Sequence, residues 1–208
     1  MESKNYKIVK SFITDNEVTL ILDWLKTLNH SGDDANFHLK EISKSLKGKS
    51  YIFDVSKTDK TKFITKFQSV TDVSTDTPPD FIFDIINRIS EEINLPKDNI
   101  FFQIVDMNKG GKIAAHYDAS IDGIINYKCN ISVLSDDYDF FIDKEKINIK
   151  EKDMYCFEAS LYKHWTEEFN NRRVFLSFGF LVPYSTTNRT ENDPRVRLSK
   201  RIERYFMK

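Results

Sequence analysis

Arg173-Val174-Phe175-Leu176-Ser177-Phe178-Gly179-Phe180 is the strongest strand signal in the chain. Branched and aromatic side chains suit a pleated, half-buried surface. Period-two alternation puts Arg173, Phe175, Ser177 and Gly179 on one face of a strand predicted over 173–182. Outward from it, further runs rich in Ile, Val, Phe and Tyr occupy 100–107, 127–134, 138–142 and 153–157. Clusters of Gly, Asn and Asp separate them. Many short strands punctuated this way indicate an antiparallel sandwich or barrel.

Before residue 99 the pattern is mostly helical. Thr14-x-x-Glu17 has the spacing of a capping box. Val18, Ile21, Leu22, Leu25 and Leu28 follow at helical intervals and predict an amphipathic helix over 15–28. Pro78-Pro79 opens a second helix, whose stripe is Ile82, Ile85, Ile86, Ile89 and Ile93, with Pro96 past its end. A weaker helix is expected over 37–47, ended by Gly48, and a strand over 50–55. Helices first and many strands after them predict a mainly β protein. Its core is expected to be a double-stranded β-helix (jelly roll, cupin-like), with the helices packed on one sheet. The expected organisation is a helical region at 1–98 packing on the core, the core at 99–184, and a polar linker with a basic C-terminal helix at 185–208.

The 208 residues fit one domain, or one domain with a helical extension. At 40% hydrophobic the chain can build a real core, and 17 phenylalanines predict that it is aromatic-rich. The net charge of -1 gives no general basic excess that would name nucleic acid as an obligatory partner. A local basic patch remains open, and the tail holds one run in which Arg195, Arg197, Lys200, Arg201, Arg204 and Lys208 stand beside apolar residues. That pattern reads either as the solvated face of a helix or as an arm for nucleic acid or an acidic partner. No apolar run has transmembrane length, so no membrane partner is expected, and the first residues are polar rather than signal-like. The two cysteines, Cys129 and Cys156, have no CxxC spacing and read as buried strand residues. A reducing cytoplasmic setting is the expectation. The sequence does not speak to oligomeric state.

Four histidines occur. His30 and His38 lie in the helical part and read as surface residues. His116-Tyr117-Asp118 follows a Gly110-Gly111 turn, and in a strand, residues two apart share a side. An imidazole and a carboxylate can then converge on one ion, and His164 from a distant strand completes a three-ligand face. Two histidines and one carboxylate, with positions left open, form the facial triad of non-haem Fe(II) oxygenases. Nine residues after His164 comes Arg173. An arginine on the inner face of a strand needs an anionic partner. Either it forks onto the distal carboxylate of a dicarboxylate cosubstrate, with Ser177 adding a hydroxyl, or it or Arg172 pairs with a nearby Asp or Glu.

At this point the chain resembles the Fe(II)/2-oxoglutarate-dependent oxygenases, through His116-x-Asp118, His164 and Arg173 in that order. The stretch 106–184 is similar to the aspartyl/asparaginyl β-hydroxylase-like branch, most clearly from Asp153 to His164 and from Arg173 to Pro183. The lead-in at 106–115 is similar to prolyl hydroxylases. The resemblance implies Fe(II) on His116, Asp118 and His164, and 2-oxoglutarate held by Arg173 with Ser177, Lys128 or Asn130 assisting. Lys128 and Asn130 fall where the β-hydroxylase branch has basic residues. It also implies hydroxylation of an aliphatic C–H by O₂, on an amino acid or a peptide or protein side chain, with release of succinate and CO₂. Asp118 stands where related halogenases have a small residue, which disfavours halogenation. The same metal kit would serve an AlkB-type nucleic-acid demethylase, supported only by the basic tail. A jelly-roll binding protein with incidental histidines is the non-enzymatic alternative. Trp165 is expected either to shield the metal or to pack nearby.

Overall fold

The computed structural model describes residues 6–27, 63–69, 78–96, 100–107, 109–110, 112–113, 115–118 and 124–183. His30, His38, the helix expected at 37–47, the strand expected at 50–55 and the tail at 185–208 lie outside these residues. The described elements are β1 (Tyr6–Val9), α1 (Asp15–Thr27), β2 (Phe63–Ser69), α2 (Asp80–Ile93), β3 (Ile100–Met107), β4 (Ile124–Leu134), β5 (Tyr138–Ile142), β6 (Glu145–Ile149), β7 (Met154–Glu158), β8 (His164–Thr166) and β9 (Arg173–Pro183).

The larger sheet has the order β1-β7-β4-β9-β3-β2 and the smaller one β6-β5-β8. All recorded pairings between named strands are antiparallel. The segment around residues 113–116 extends the smaller sheet beyond β8. His116 and His164 exchange backbone hydrogen bonds of 3.1 and 2.9 Å, and the Thr166 N–H donates to the Ile113 carbonyl at 3.1 Å. From β3 onward the chain therefore winds back and forth between the two sheets: β3, the 113–116 segment, β4, β5 and β6, β7, β8, β9. This winding is the double-stranded β-helix expected from the strand pattern.

The register sorts the side chains of the larger sheet. Asn130 lies opposite Ser177 and Tyr155, and Lys128 opposite Gly179 and Phe157. These residues face the smaller sheet. The other face carries Phe102 and Phe178, stacked at 4.9 Å, and Trp24 of α1 stacks on Phe102 at 5.9 Å. Trp24 also meets Phe81 of α2 edge-on, so both helices cover this outer face. The apolar stripe of α2 (Ile82, Ile85, Ile86 and Ile89) is buried beneath it. Cys129 and Cys156 are buried and free, opposite each other in β4 and β7.

The N-terminal region is less purely helical than expected. β1 and β2 form the two edges of the larger sheet. β1 has only four residues, too few for a period to be read. β6 and β8 were likewise not expected. β6 is largely polar, Glu-Lys-Ile-Asn-Ile, and β8 is three residues long, both too weak for period reading. No helix among the described residues is long and apolar enough to cross a membrane.

Candidate metal centre

His164 opens β8, and the next residue turns the opposite way. Trp165 stacks flat on Phe141 at 5.0 Å, on the face of the smaller sheet away from His164, so it packs rather than shields the centre. His164 is buried against Phe157 and Phe140, at ring distances of 4.8 and 6.0 Å. Its Nδ1 lies 3.0 Å from the Tyr162 carbonyl oxygen. A carbonyl accepts only, so Nδ1 carries the proton and Nε2 is left as a lone-pair donor.

His116 is brought to the site by its isolated bridge with His164 rather than by a regular strand, and their rings are 4.3 Å apart. Asp118 follows in irregular backbone, anchored by its N–H donating to the Ala159 carbonyl at 3.0 Å. The two residues converge as strand spacing predicts, but through this local bridge. Asp118 Oδ1 lies 3.2 Å from His116 Nε2 and 3.5 Å from His164 Nε2. One ligand atom from each of the three residues lies within 4.8 Å of the others.

The electrostatics suit ligation. Burial pushes the His164 pKa down to about 4, helped by the His116 charge and opposed by Asp118. The ring is therefore neutral at physiological pH. Burial alone would raise Asp118, but the Lys128 charge, with the close approach of the His116 and His164 rings, outweighs it and holds the carboxyl well below its ordinary range. Two imidazoles and an ionised carboxylate are a donor set for a divalent transition metal.

The sequence left two arginines as alternatives, and their surroundings differ. Arg172 is exposed and makes a bidentate pair with Asp106, both N···O distances 2.8 Å. Arg173 is 1% exposed. Its guanidinium lies 3.8 Å from the Tyr138 ring centre, 4.3 Å from Phe175 and 4.7 Å from Phe169. Nη2 donates to the Tyr138 hydroxyl and, at 3.2 Å, to that of Tyr155. Nε and Nη1 have no partner among the described residues. A line of aromatic rings joins this arginine to the triad: Tyr155 meets Phe140 at 4.6 Å, and Phe140 and Phe157 wall His164.

The remaining expected residues separate. Asn130 and Ser177 are buried side by side on the inner face, and Asn130 Oδ1 is unpartnered among the described residues. Lys128 is instead on the triad itself, its Nζ 2.5 Å from Asp118 Oδ2. Sequence reading missed Asn126, whose Nδ2 donates to the same oxygen at 3.1 Å, and the two tyrosines on Arg173. Tyr138 and Tyr155 stood in predicted strands, but only the packing of the two sheets reveals what they touch.

Two imidazoles and one carboxylate gathered inside a double-stranded β-helix define a candidate centre of the facial-triad class. The fold is shared with solved members of that class. A viral collagen prolyl hydroxylase from Paramecium bursaria Chlorella virus-1, in complex with 2-oxoglutarate, superposes with TM-score 0.54 at 14% identity, covering 87% of this chain and 98% of that one. A 2OG-Fe(II) oxygenase family protein from Burkholderia pseudomallei gives 0.54 at 12%, covering 84% and 83%. HygX from Streptomyces hygroscopicus, with nickel and 2-oxoglutarate bound, gives 0.56 at 8%, covering 88% and 84%. At these identities the likeness establishes the fold. No family model and no curated protein matches the sequence.

Proposed function

We propose that this protein is an Fe(II)- and 2-oxoglutarate-dependent dioxygenase that hydroxylates an aliphatic C–H, on an amino acid or on a peptide or protein side chain. The observation that carries the reading is Arg173. A fully buried guanidinium with two nitrogens, Nε and Nη1, unpartnered among the described residues is costly, and it sits on the inner face of the same barrel as the triad. An anion from outside the chain would relieve that cost. The residues present fit both groups: two imidazoles, with that of His164 neutral, and an ionised carboxylate for the metal, and donors without a partner among the described residues for a carboxylate.

In this reading His116, Asp118 and His164 hold the iron. Arg173 takes the distal carboxylate of 2-oxoglutarate on its Nε and Nη1 side, because Nη2 is already committed to the tyrosines. Tyr138 donates its hydroxyl to Tyr155 at 3.4 Å, which leaves the Tyr155 O–H to donate to the same anion. Asn130 and Ser177 can hydrogen-bond along the cosubstrate. Phe140, Phe157 and Tyr155 exclude water from the space between. When bound, iron, 2-oxoglutarate and O₂ together supply the oxidising power, with succinate and CO₂ as co-products. The chain's own task is to orient these groups and to keep the site dry.

The substrate class is supported by the collagen prolyl hydroxylase and by a prolyl-4-hydroxylase from Pseudomonas putida that shares the fold at TM-score 0.54 and 9% identity. We assign catalysis to 99–184, with 1–98 packing on it and 185–208 appended, in a cytoplasmic setting. The demethylase alternative rests on a tail outside the described residues and gains no support. The test is an anaerobic titration of Fe(II)-loaded protein with 2-oxoglutarate, followed by a peptide and amino-acid panel in air. A visible charge-transfer band and substrate-stimulated succinate release are expected. Absence of the band would favour a non-enzymatic binding protein, and a band without any responsive substrate in the panel would remove the amino-acid and peptide assignment.

A further inference from the structure

The two oxygens of Asp118 have separate surroundings. Oδ1 faces the two histidines, at 3.2 and 3.5 Å. Oδ2 is held from the other side by Lys128 Nζ at 2.5 Å and by Asn126 Nδ2 at 3.1 Å. Lys128 and Asp118 have side-chain exposures of 13% and 6%, so solvent competes little for this pair. Asn126 is itself pinned: its N–H donates to Ser160 Oγ at 3.2 Å, and its carbonyl accepts from the Ala159 N–H at 2.9 Å. Space for its amide depends on Gly179, where a Cβ would stand 2.7 Å from Asn126 Oδ1, closer than real Cβ atoms approach.

We infer that Lys128 and Asn126 are positioning residues that confine Asp118 to metal ligation through Oδ1 alone, with Gly179 giving the clamp its room. The inference rests on the proposed iron and 2-oxoglutarate reading and gives Lys128 a role other than cosubstrate contact. A carboxylate free to turn can present both oxygens to a cation and fill a position that a chelating cosubstrate needs. A cation and an amide on Oδ2 prevent that turn. They also draw charge from the carboxylate, which weakens its donation. Outer hydrogen-bond partners of metal ligands act in this way on orientation and affinity.

The experiment uses the full chain loaded with Co(II), which reports its ligand set by its visible ligand-field bands. Lys128→Met should shift those bands before any 2-oxoglutarate is added, and should weaken 2-oxoglutarate binding to the Co(II) form by roughly tenfold. Lys128→Arg, which keeps a cation in reach of Oδ2, should restore both. Asn126→Ala should move both readings the same way by less, and it carries the test if Lys128→Met does not fold. Unchanged bands in the cosubstrate-free variants, with weakened 2-oxoglutarate binding, would overturn the clamp and return Lys128 to cosubstrate contact. Unchanged bands and unchanged binding would overturn it outright. Wild-type protein that takes up no Co(II) would instead sink the iron reading itself, and the clamp with it.

Discussion

Arg173 is a cation buried in an aromatic box, with two of its nitrogens unpartnered among the described residues. Its replacement therefore has opposite consequences for stability and for binding. Arg173→Met removes an unpaired buried charge and fills the space with apolar atoms. The cosubstrate-free protein should become more stable, by roughly 1–3 kcal/mol. The same change should weaken 2-oxoglutarate binding by about two to three orders of magnitude, the usual cost of breaking a buried charge pair. Arg172→Met should leave binding unchanged, because it removes only an exposed pair with Asp106. Urea denaturation and calorimetric titration of both variants check this, and an Arg173 variant that binds 2-oxoglutarate normally would end its assignment. His164 gives a second residue-scale expectation. Its pKa falls from 6.5 to about 4 on folding, so between those values the unfolded chain holds the extra proton. Stability of the chelator-treated protein should be fully present above the upper value and decline as pH drops toward the lower, by roughly 3 kcal/mol. Asp118 adds to the decline only at the acid end of that window, where the unfolded carboxyl begins to take up protons while the folded one, its pKa depressed, stays ionised. Denaturation midpoints measured across the window should fall with acid, and His164→Leu should flatten the profile. The three residues of the candidate triad could be picked out because His-x-Asp and a later histidine are patterns visible in the chain. The choice between Arg172 and Arg173 turned on alternation, which names a face but not the neighbours on it. The Lys128 contact with Asp118 joins irregular backbone to a strand, and no period relates the two positions.

At the scale of elements, the same limit separates what could be read from what could not. β3 and β5 begin and end where the sequence predicts, because turn residues bound them and their apolar residues alternate or run unbroken. β8 could not be read, because three residues, His-Trp-Thr, carry no period. The start of α1 could be read, since a capping box is a chemical pattern rather than a statistical one. The Thr14 N–H donates to Glu17 Oε2 at 2.9 Å, and the Glu17 N–H donates to Thr14 Oγ1 at 3.2 Å. Glu17 also takes a hydrogen bond from Arg88 of α2, a tie across 71 residues that no local window contains. Thr14→Ala should cost about 1 kcal/mol, the value of a lost cap. Glu17→Ala should cost more, because it loosens α1 from α2 as well as from its own first turn. A double-mutant cycle of Glu17 with Arg88 should return a favourable coupling; additive losses would mean that the two helices are held by Trp24 and the isoleucine stripe alone.

At the scale of the molecule, the candidate site is divided between the sheets. His164 belongs to the smaller sheet and His116 is hydrogen-bonded along its edge. Arg173, Ser177, Asn130 and Lys128 belong to the larger one. A metal on the triad ties His116, His164 and Asp118 together, whereas a dicarboxylate gripped at one end by the metal and at the other by Arg173 spans both sheets. Two consequences follow for ligand-linked stability. Metal alone should stabilise the fold, and 2-oxoglutarate should add about 2.7 kcal/mol at a hundredfold excess over its dissociation constant. Without metal, 2-oxoglutarate should stabilise far less at the same concentration, since only its Arg173 end is held. In Arg173→Met the metal response should survive and the cosubstrate response should vanish. Because binding couplings are reciprocal, the factor by which metal tightens 2-oxoglutarate must equal the factor by which 2-oxoglutarate tightens metal. Thermal melts with Mn(II) as a redox-silent metal, with and without chelator and cosubstrate, measure all of these. Equal stabilisation by 2-oxoglutarate with and without metal would mean that it binds outside the space between the triad and Arg173.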